Sequence, residues 1–153
     1  MGKTALAQKE ENVGIIYYSF EKRAVESGKI ISQKLAVPLK TISGMQERNW
    51  GKFSGKPWPE VEAILKPMSL EERYTYIPPE GESWQEFETR LIASLKRILN
   101  ENQGKTIVVV SHGGAIRASM PYLLNVPKEE SFKYDPANAS ITSFDFDGEK
   151  FFP

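Results

Sequence analysis

The sequence contains no cysteine and a single histidine among its 153 residues. Without cysteine there is no disulfide framework, no thiolate zinc site and no thiol nucleophile. The one histidine, His112, excludes a multi-histidine metal site and any mechanism that draws two imidazoles from these residues. A surplus of either charge is also lacking, since Lys+Arg and Asp+Glu stand at 20 each. With no basic block, neither nucleic acid nor an anionic membrane surface is an expected partner. No apolar run approaches the ~18–20 residues of a membrane span. The opening MGKTALAQKEENVG has no apolar signal-peptide core, so a cytoplasmic location is expected. What is present is ordinary for a globular chain, 40% hydrophobic and 26% charged, and the length suits one domain over residues 1–153.

Local patterning predicts an alternation of helices and strands. Residues 1–12 are polar and read as helical. Residues 14–19 (GIIYYS) form a β-branched and aromatic run expected to be a buried strand. Residues 20–36 follow as a helix with Ala24, Gly28, Ile31 and Leu35 on one face, ended by Val37-Pro38. A second strand is expected over 39–43, a structured loop over 44–59 and a short helix over 60–65. The proline-rich stretch 66–82 is a long excursion for a small domain. Ser83 and Glu86 stand at capping-box spacing, ahead of a stripe of Trp84, Phe87, Leu91, Leu95 and Ile98. Residues 106–111 (TIVVVS) lack polar alternation, as expected of a strand covered on both faces. A helix over 115–124 and an alternating edge strand over 140–146 complete the series. The expected fold is α/β, a three-layer α/β/α arrangement with a mostly parallel sheet, in which ligands bind beyond the carboxyl ends of the strands.

Two strand ends carry chemistry. One leads into His112-Gly113-Gly114. There the glycines let backbone N–H groups approach an anion, and the imidazole can donate to a phosphate oxygen or act as a base. The same residues also fit a plain tight turn with a structural histidine. The other strand leads to Arg23, whose planar fork suits phosphate and equally suits a surface carboxylate. Glu47, near Trp50, is a candidate general acid if its surroundings raise its pKa, and otherwise a solvated loop acid. Glu82, just before the capped helix, either orients site groups or serves the helix dipole.

Four segments together resemble the histidine phosphatase superfamily, also called phosphoglycerate mutase-like. They are Ser19 through Arg23-Ala24, Met45-x-Glu47 through Gly51 and Gly55, Gly81-Glu82-Ser83, and Ser111-His112-Gly113-Gly114 through Arg117. The resemblance implies phosphomonoester hydrolysis with no metal and no organic cofactor. It implies that Arg23, His112 and Gly113 bind phosphate, with His112 also stabilising the transferring phosphoryl group, and that Glu47 protonates the leaving group. Ser19, Glu82 and Ser111 are implied as supporting residues. Ser-His-Gly-Gly at 111–114 resembles the phosphatase branches more than the mutases.

The family's Arg-His-Gly motif, whose histidine is the nucleophile, does not occur in the sequence. The resemblance therefore implies an N-terminally truncated domain that lacks the family's first strand and turns over little by itself. It also implies an open edge on the strand at 106–111, which the strand at 140–146 could cover and which otherwise invites self-association. The expected ligand is a phosphorylated small molecule, selected mainly by residues 56–80, with Trp50, Trp58, Tyr74 and Tyr76 either lining its pocket or packing. The alternatives are a pseudoenzyme that binds phosphorylated molecules or a protein partner, and a purely structural or interaction domain.

Overall fold

A computed structural model describes residues 12–153. The helix expected over residues 1–12 lies outside the described residues. Three parallel strands form the main sheet in the order β2–β1–β3: β1 is Val13–Tyr18, β2 is Leu39–Thr41 and β3 is Thr106–Val110. The sheet connections carry α1 (Lys22–Leu35) between β1 and β2, and α4 (Trp84–Glu101) before β3. α5 (Gly113–Leu124) follows β3. Ile107 and Val109 face the cluster built from Phe87, Leu91 and Ile98 of α4 and Ala115 and Ala118 of α5. Val108 and Val110 face the opposite cluster, with Ile31 and Leu35 of α1. Both faces of β3 are thus covered by helices, which is why the sequence TIVVV has no polar alternation. Val13 and Ile16 share one face although they are three residues apart, because a register shift between Val13 and Ile15 inserts one residue.

α1 begins at Lys22, with Glu21 at its N-cap, and ends at Ala36 in the left-handed conformation (φ 56°), just ahead of Pro38. The capping box at Ser83 and Glu86 is present in both directions. The long excursion contains more structure than its prolines suggest. α2 spans Trp58–Leu65, two residues earlier than expected, with a proline in its first turn. α3 spans Leu70–Thr75 and carries its own capping box from Ser69 and Glu72. Short 3-10 helices occupy Gly51–Phe53 and Lys128–Lys133.

The strand expected over 140–146 is largely absent. Only Asp145–Phe146 (β4) is extended and paired, and it pairs antiparallel with Phe151–Phe152 (β5), not with β3. Between them the Asp147 carboxylate accepts from the N–H groups of Glu149 and Lys150 at 2.8 and 2.7 Å, closing a local turn. Phe151 stacks on Phe146 at 4.6 Å and meets Tyr122 of α5 edge-on at 5.4 Å. Among the described residues no strand pairs with the second edge of β3. A cleft of 1290 Å³ lies there, lined by β3, by residues 136–148 and 151–153, and at one end by Arg23, Glu47 and His112. No helix of the described residues is long and apolar enough to cross a membrane.

Candidate active site

Parallel pairing sets Tyr18 opposite Val110 at the carboxyl ends of β1 and β3. The segments that leave these ends therefore emerge side by side, and Ser19, Arg23 and His112 meet. His112 is the extended N-cap residue of α5 and is 5% exposed. Arg23 Nε donates to His112 Nδ1 at 2.9 Å. A guanidinium has hydrogens to give and no lone pair to accept with, so Nδ1 is the acceptor and the ring hydrogen sits on Nε2. Burial lowers the His112 pKa below its ordinary 6.5, and the Arg23 charge adds to this, while the Glu21 and Glu47 carboxylates oppose it. The imidazole is thus a neutral donor, with Nε2 facing the buried Ser19 hydroxyl at 2.6 Å.

The same Nε2 also meets the carboxylate of Glu21, a residue that sequence reasoning missed. Glu21 Oε2 further accepts the backbone N–H of Glu47 at 3.0 Å, and Oε1 accepts from Arg23 Nη2 at 3.3 Å. An imidazole, an amide and a guanidinium therefore converge on one anionic group. The available signal was an acid set between Ser19 and Arg23 at a strand-to-helix turn.

Glu47 lies across this cradle. Its Oε2 accepts from the N–H of Gly114 at 3.0 Å, and its Oε1 from its neighbour Arg48 at 2.9 Å. The carboxylate sits on the first turn of α5, where free N–H groups and the helix dipole favour an anion. A Cβ on Gly114 would collide with that carboxylate, whereas a Cβ on Gly113 would meet nothing within 4 Å. Gly113 begins α5 and lines the cleft beside His112.

The loop that carries Glu47 is held by residues behind it. Ser111 Oγ donates to the Met45 carbonyl at 2.7 Å. Arg90 of α4, also missed in the sequence, donates to the carbonyls of Gly44, Gln46 and Glu47 at 2.9, 3.0 and 3.0 Å. Its remaining hydrogens form a two-pronged pair with Glu82, Nε to Oε2 at 2.9 Å and Nη2 to Oε1 at 2.5 Å. Glu82 Oε1 in turn accepts the Asn49 N–H at 2.8 Å. Glu82 thus supports the loop through Arg90 and Asn49.

The aromatic residues of this region divide. The Trp50 ring covers the Arg48 guanidinium at 4.1 Å and meets Trp58 edge-on at 5.9 Å. Arg48 is buried and donates to the carbonyls of Glu82 and Tyr76, and burial pulls its pKa down to about 10. Tyr76 stacks on Phe53 at 6.5 Å. Tyr74 belongs to the hydrophobic core, with its hydroxyl donating to Glu88 at 3.1 Å. Among the described residues no group of three or more His, Asp or Glu side chains is placed to hold a metal ion.

The model of the histidine phosphatase superfamily (branch 1) matches residues 2–152. Phosphoglycerate mutase-like protein 4 of Arabidopsis thaliana is 32% identical over 149 residues, covering 93% of this chain and 63% of its own length. The uncharacterized phosphatase PhoE of Bacillus subtilis is 28% identical over 141 residues, covering 89% of this chain and 66% of its own. The chain thus spans just under two thirds of the length of each of these relatives. The solved structure of YhfR from Bacillus stearothermophilus superposes with a TM-score of 0.84 at 21% identity, over 98% of this chain and 76% of that one. The mixed α/β architecture with its parallel sheet is the one shared with that neighbour.

Proposed function

The chain belongs to the histidine phosphatase superfamily, branch 1, and from that premise we propose that its site binds the phosphoryl group of a phosphomonoester, on the scaffold of a phosphomonoester hydrolase. The observation that carries this reading is the cradle at the strand ends. His112 Nε2, the Glu47 N–H and Arg23 Nη2 already hold one anionic group between them, the Glu21 carboxylate. A phosphoryl group offers acceptor oxygens to the same donors, and Arg23 presents the planar charge that suits it. In this reading Arg23 neutralises charge on the transferring group and His112 stabilises it by donating a hydrogen bond, with the Gly113 turn giving it room. The resemblance offers Glu47, at the mouth of α5, as the general acid for the departing alkoxide, a role that requires its carboxylate to leave the Gly114 and Arg48 N–H groups that favour its anion and to take up a proton. Ser19 and Ser111 hold His112 and the Met45 carbonyl in place. The chemistry calls for no metal and no organic cofactor.

The 153 residues offer His112 as a donor and no second histidine as a nucleophile. Loss of a covalent nucleophile costs about 10⁶ in rate in a well-studied hydrolase triad. Little turnover is therefore expected of the 153-residue chain alone, and phosphate binding without hydrolysis is the second reading.

The test pairs two measurements on the purified chain, hydrolysis of p-nitrophenyl phosphate and melting in millimolar phosphate or vanadate. Expected are negligible turnover and a raised melting temperature that Arg23→Ala and His112→Ala abolish. A ligand at 100 times its dissociation constant adds about 2.7 kcal/mol of stability. Turnover that vanishes in His112→Ala would refute the expectation that the site is inactive without a second histidine. No melting shift with either anion would refute the phosphate site and leave an interaction domain.

A further inference from the structure

The Glu21 carboxylate sits where the proposed function places a phosphoryl group. Nothing in α1 requires it there. Glu21 is the N-cap residue of that helix, yet its side chain makes no capping hydrogen bond. It turns instead to His112 Nε2, the Glu47 N–H and Arg23. The two sides of this contact differ in freedom. The His112 side chain is 3% exposed and fixed by Arg23 and Ser19, whereas the Glu21 side chain is 29% exposed and can rotate toward solvent. Two anions cannot share three donors at hydrogen-bond distance, because like charges that close repel strongly.

We propose that Glu21 is a built-in competitor for the anion site, so that a phosphoryl group enters only as the Glu21 carboxylate swings out. This rests on the phosphate-binding reading of the same cradle. Glu21 then sets the affinity of the site. A ligand must supply more to His112, Arg23 and the Glu47 N–H than the resident carboxylate does, so weakly bound monoanions are excluded and a phosphoryl dianion is favoured. No covalent step is involved, and the exchange is one anion for another on the same donors.

The single histidine makes the test direct, since every imidazole signal in the NMR spectrum of the 153-residue chain belongs to His112. Inorganic phosphate is titrated into the wild type, Glu21→Gln and Glu21→Ala while the His112 ring signals are followed. Glutamine keeps the size of the side chain and removes its charge, and alanine vacates the cradle. Both variants are expected to bind phosphate about tenfold or more tighter than the wild type, because charge-assisted bonds to the competitor are gone. Acetate is expected to bind the alanine variant and to leave the wild type unmoved. Equal or weaker phosphate binding in both variants, with a clear His112 response in the wild type, would overturn the competitor role and leave the phosphate site standing. No His112 response in any of the three proteins would overturn both. Either substitution suffices should the other not fold, because each removes the resident charge.

Discussion

Arg90 gives the sharpest test of how the site is held. Its guanidinium bonds three carbonyls of the loop that carries Glu47 and grips Glu82 through two further bonds. Replacing it with methionine keeps much of the aliphatic stem and removes the guanidinium, whose carbon lies 4.9 Å from the Phe87 ring centre. It leaves the carbonyls of Gly44, Gln46 and Glu47 and the Glu82 carboxylate without this donor. Breaking a buried ion pair costs about 3–5 kcal/mol, and each part-buried carbonyl left unsatisfied adds to that. The side chains here are 28% and 16% exposed, so water recovers some of the loss. The expected cost of Arg90→Met is then about 2–4 kcal/mol by urea denaturation. Arg90→Lys should recover less than half of it, because one ammonium cannot span three carbonyls and a two-pronged carboxylate. A cost below about 1 kcal/mol for Arg90→Met, or a lysine variant as stable as the wild type, would refute the view that this one side chain organises the loop.

Three further outcomes are expected. The His112 ring, followed by NMR, should titrate below 6.5, and in Glu21→Gln lower still, because the carboxylate that raises it is gone. A histidine kept neutral in the fold binds its proton more readily once unfolded, so its contribution is full above pH 6.5 and declines as pH falls below it; a midpoint above 6.5 would contradict the burial argument. Ser83→Ala should cost about 1 kcal/mol by removing the cap of α4, measured by thermal melting at neutral pH. The Ser83 hydrogen bonds hold the Glu86 carboxyl below its ordinary 4.5, so the capping contribution is present above pH 4.5 and lost as pH falls through the lowered value. The second edge of β3 has no strand beside it among the described residues, which predicts self-association of the 153-residue chain at micromolar concentration; a monomer in sedimentation velocity would count against it.

What the sequence made legible follows from short-range physics. The run TIVVVS, the face formed by Ala24, Gly28 and Ile31, and the Ser83–Glu86 spacing all express local geometry, and each stands in the structure close to its expected bounds. The meeting of Arg23 and His112 could be anticipated because each follows a strand end that leads into a helix. The helix at Leu70–Thr75 carried the same capping signal as α4, but its six residues were masked by the prolines around them. The alternation over 140–146 was misleading for a physical reason. Alternation marks a two-faced surface, while a strand also needs a neighbour, and only Asp145–Phe146 finds one. Glu21 and Arg90 had no periodic signature at all. Arg90 meets its carbonyl partners across 43–46 residues of chain, and a charge placed by tertiary folding leaves no trace in spacing.

The two glycines of the His112 turn offer a final separation of fold from site. Neither has a positive φ, so both positions accept an L side chain, and alanine is the better helix former by up to about 1 kcal/mol. At Gly113 a Cβ meets nothing, so Gly113→Ala should be neutral or slightly stabilising. At Gly114 the Cβ falls on the Glu47 carboxylate. The carboxylate must then leave the N–H groups of residues 114 and 48, and those charge-assisted bonds outweigh the gain in helix propensity. Gly114→Ala should therefore be destabilised by about 1–3 kcal/mol relative to Gly113→Ala. The Arg48 amide signal should move in Gly114→Ala and stay in place in Gly113→Ala, whose added Cβ meets nothing. If the two alanine variants melt alike and the Arg48 amide signal does not move, Glu47 is not seated on α5, and its placement across the cradle falls with it.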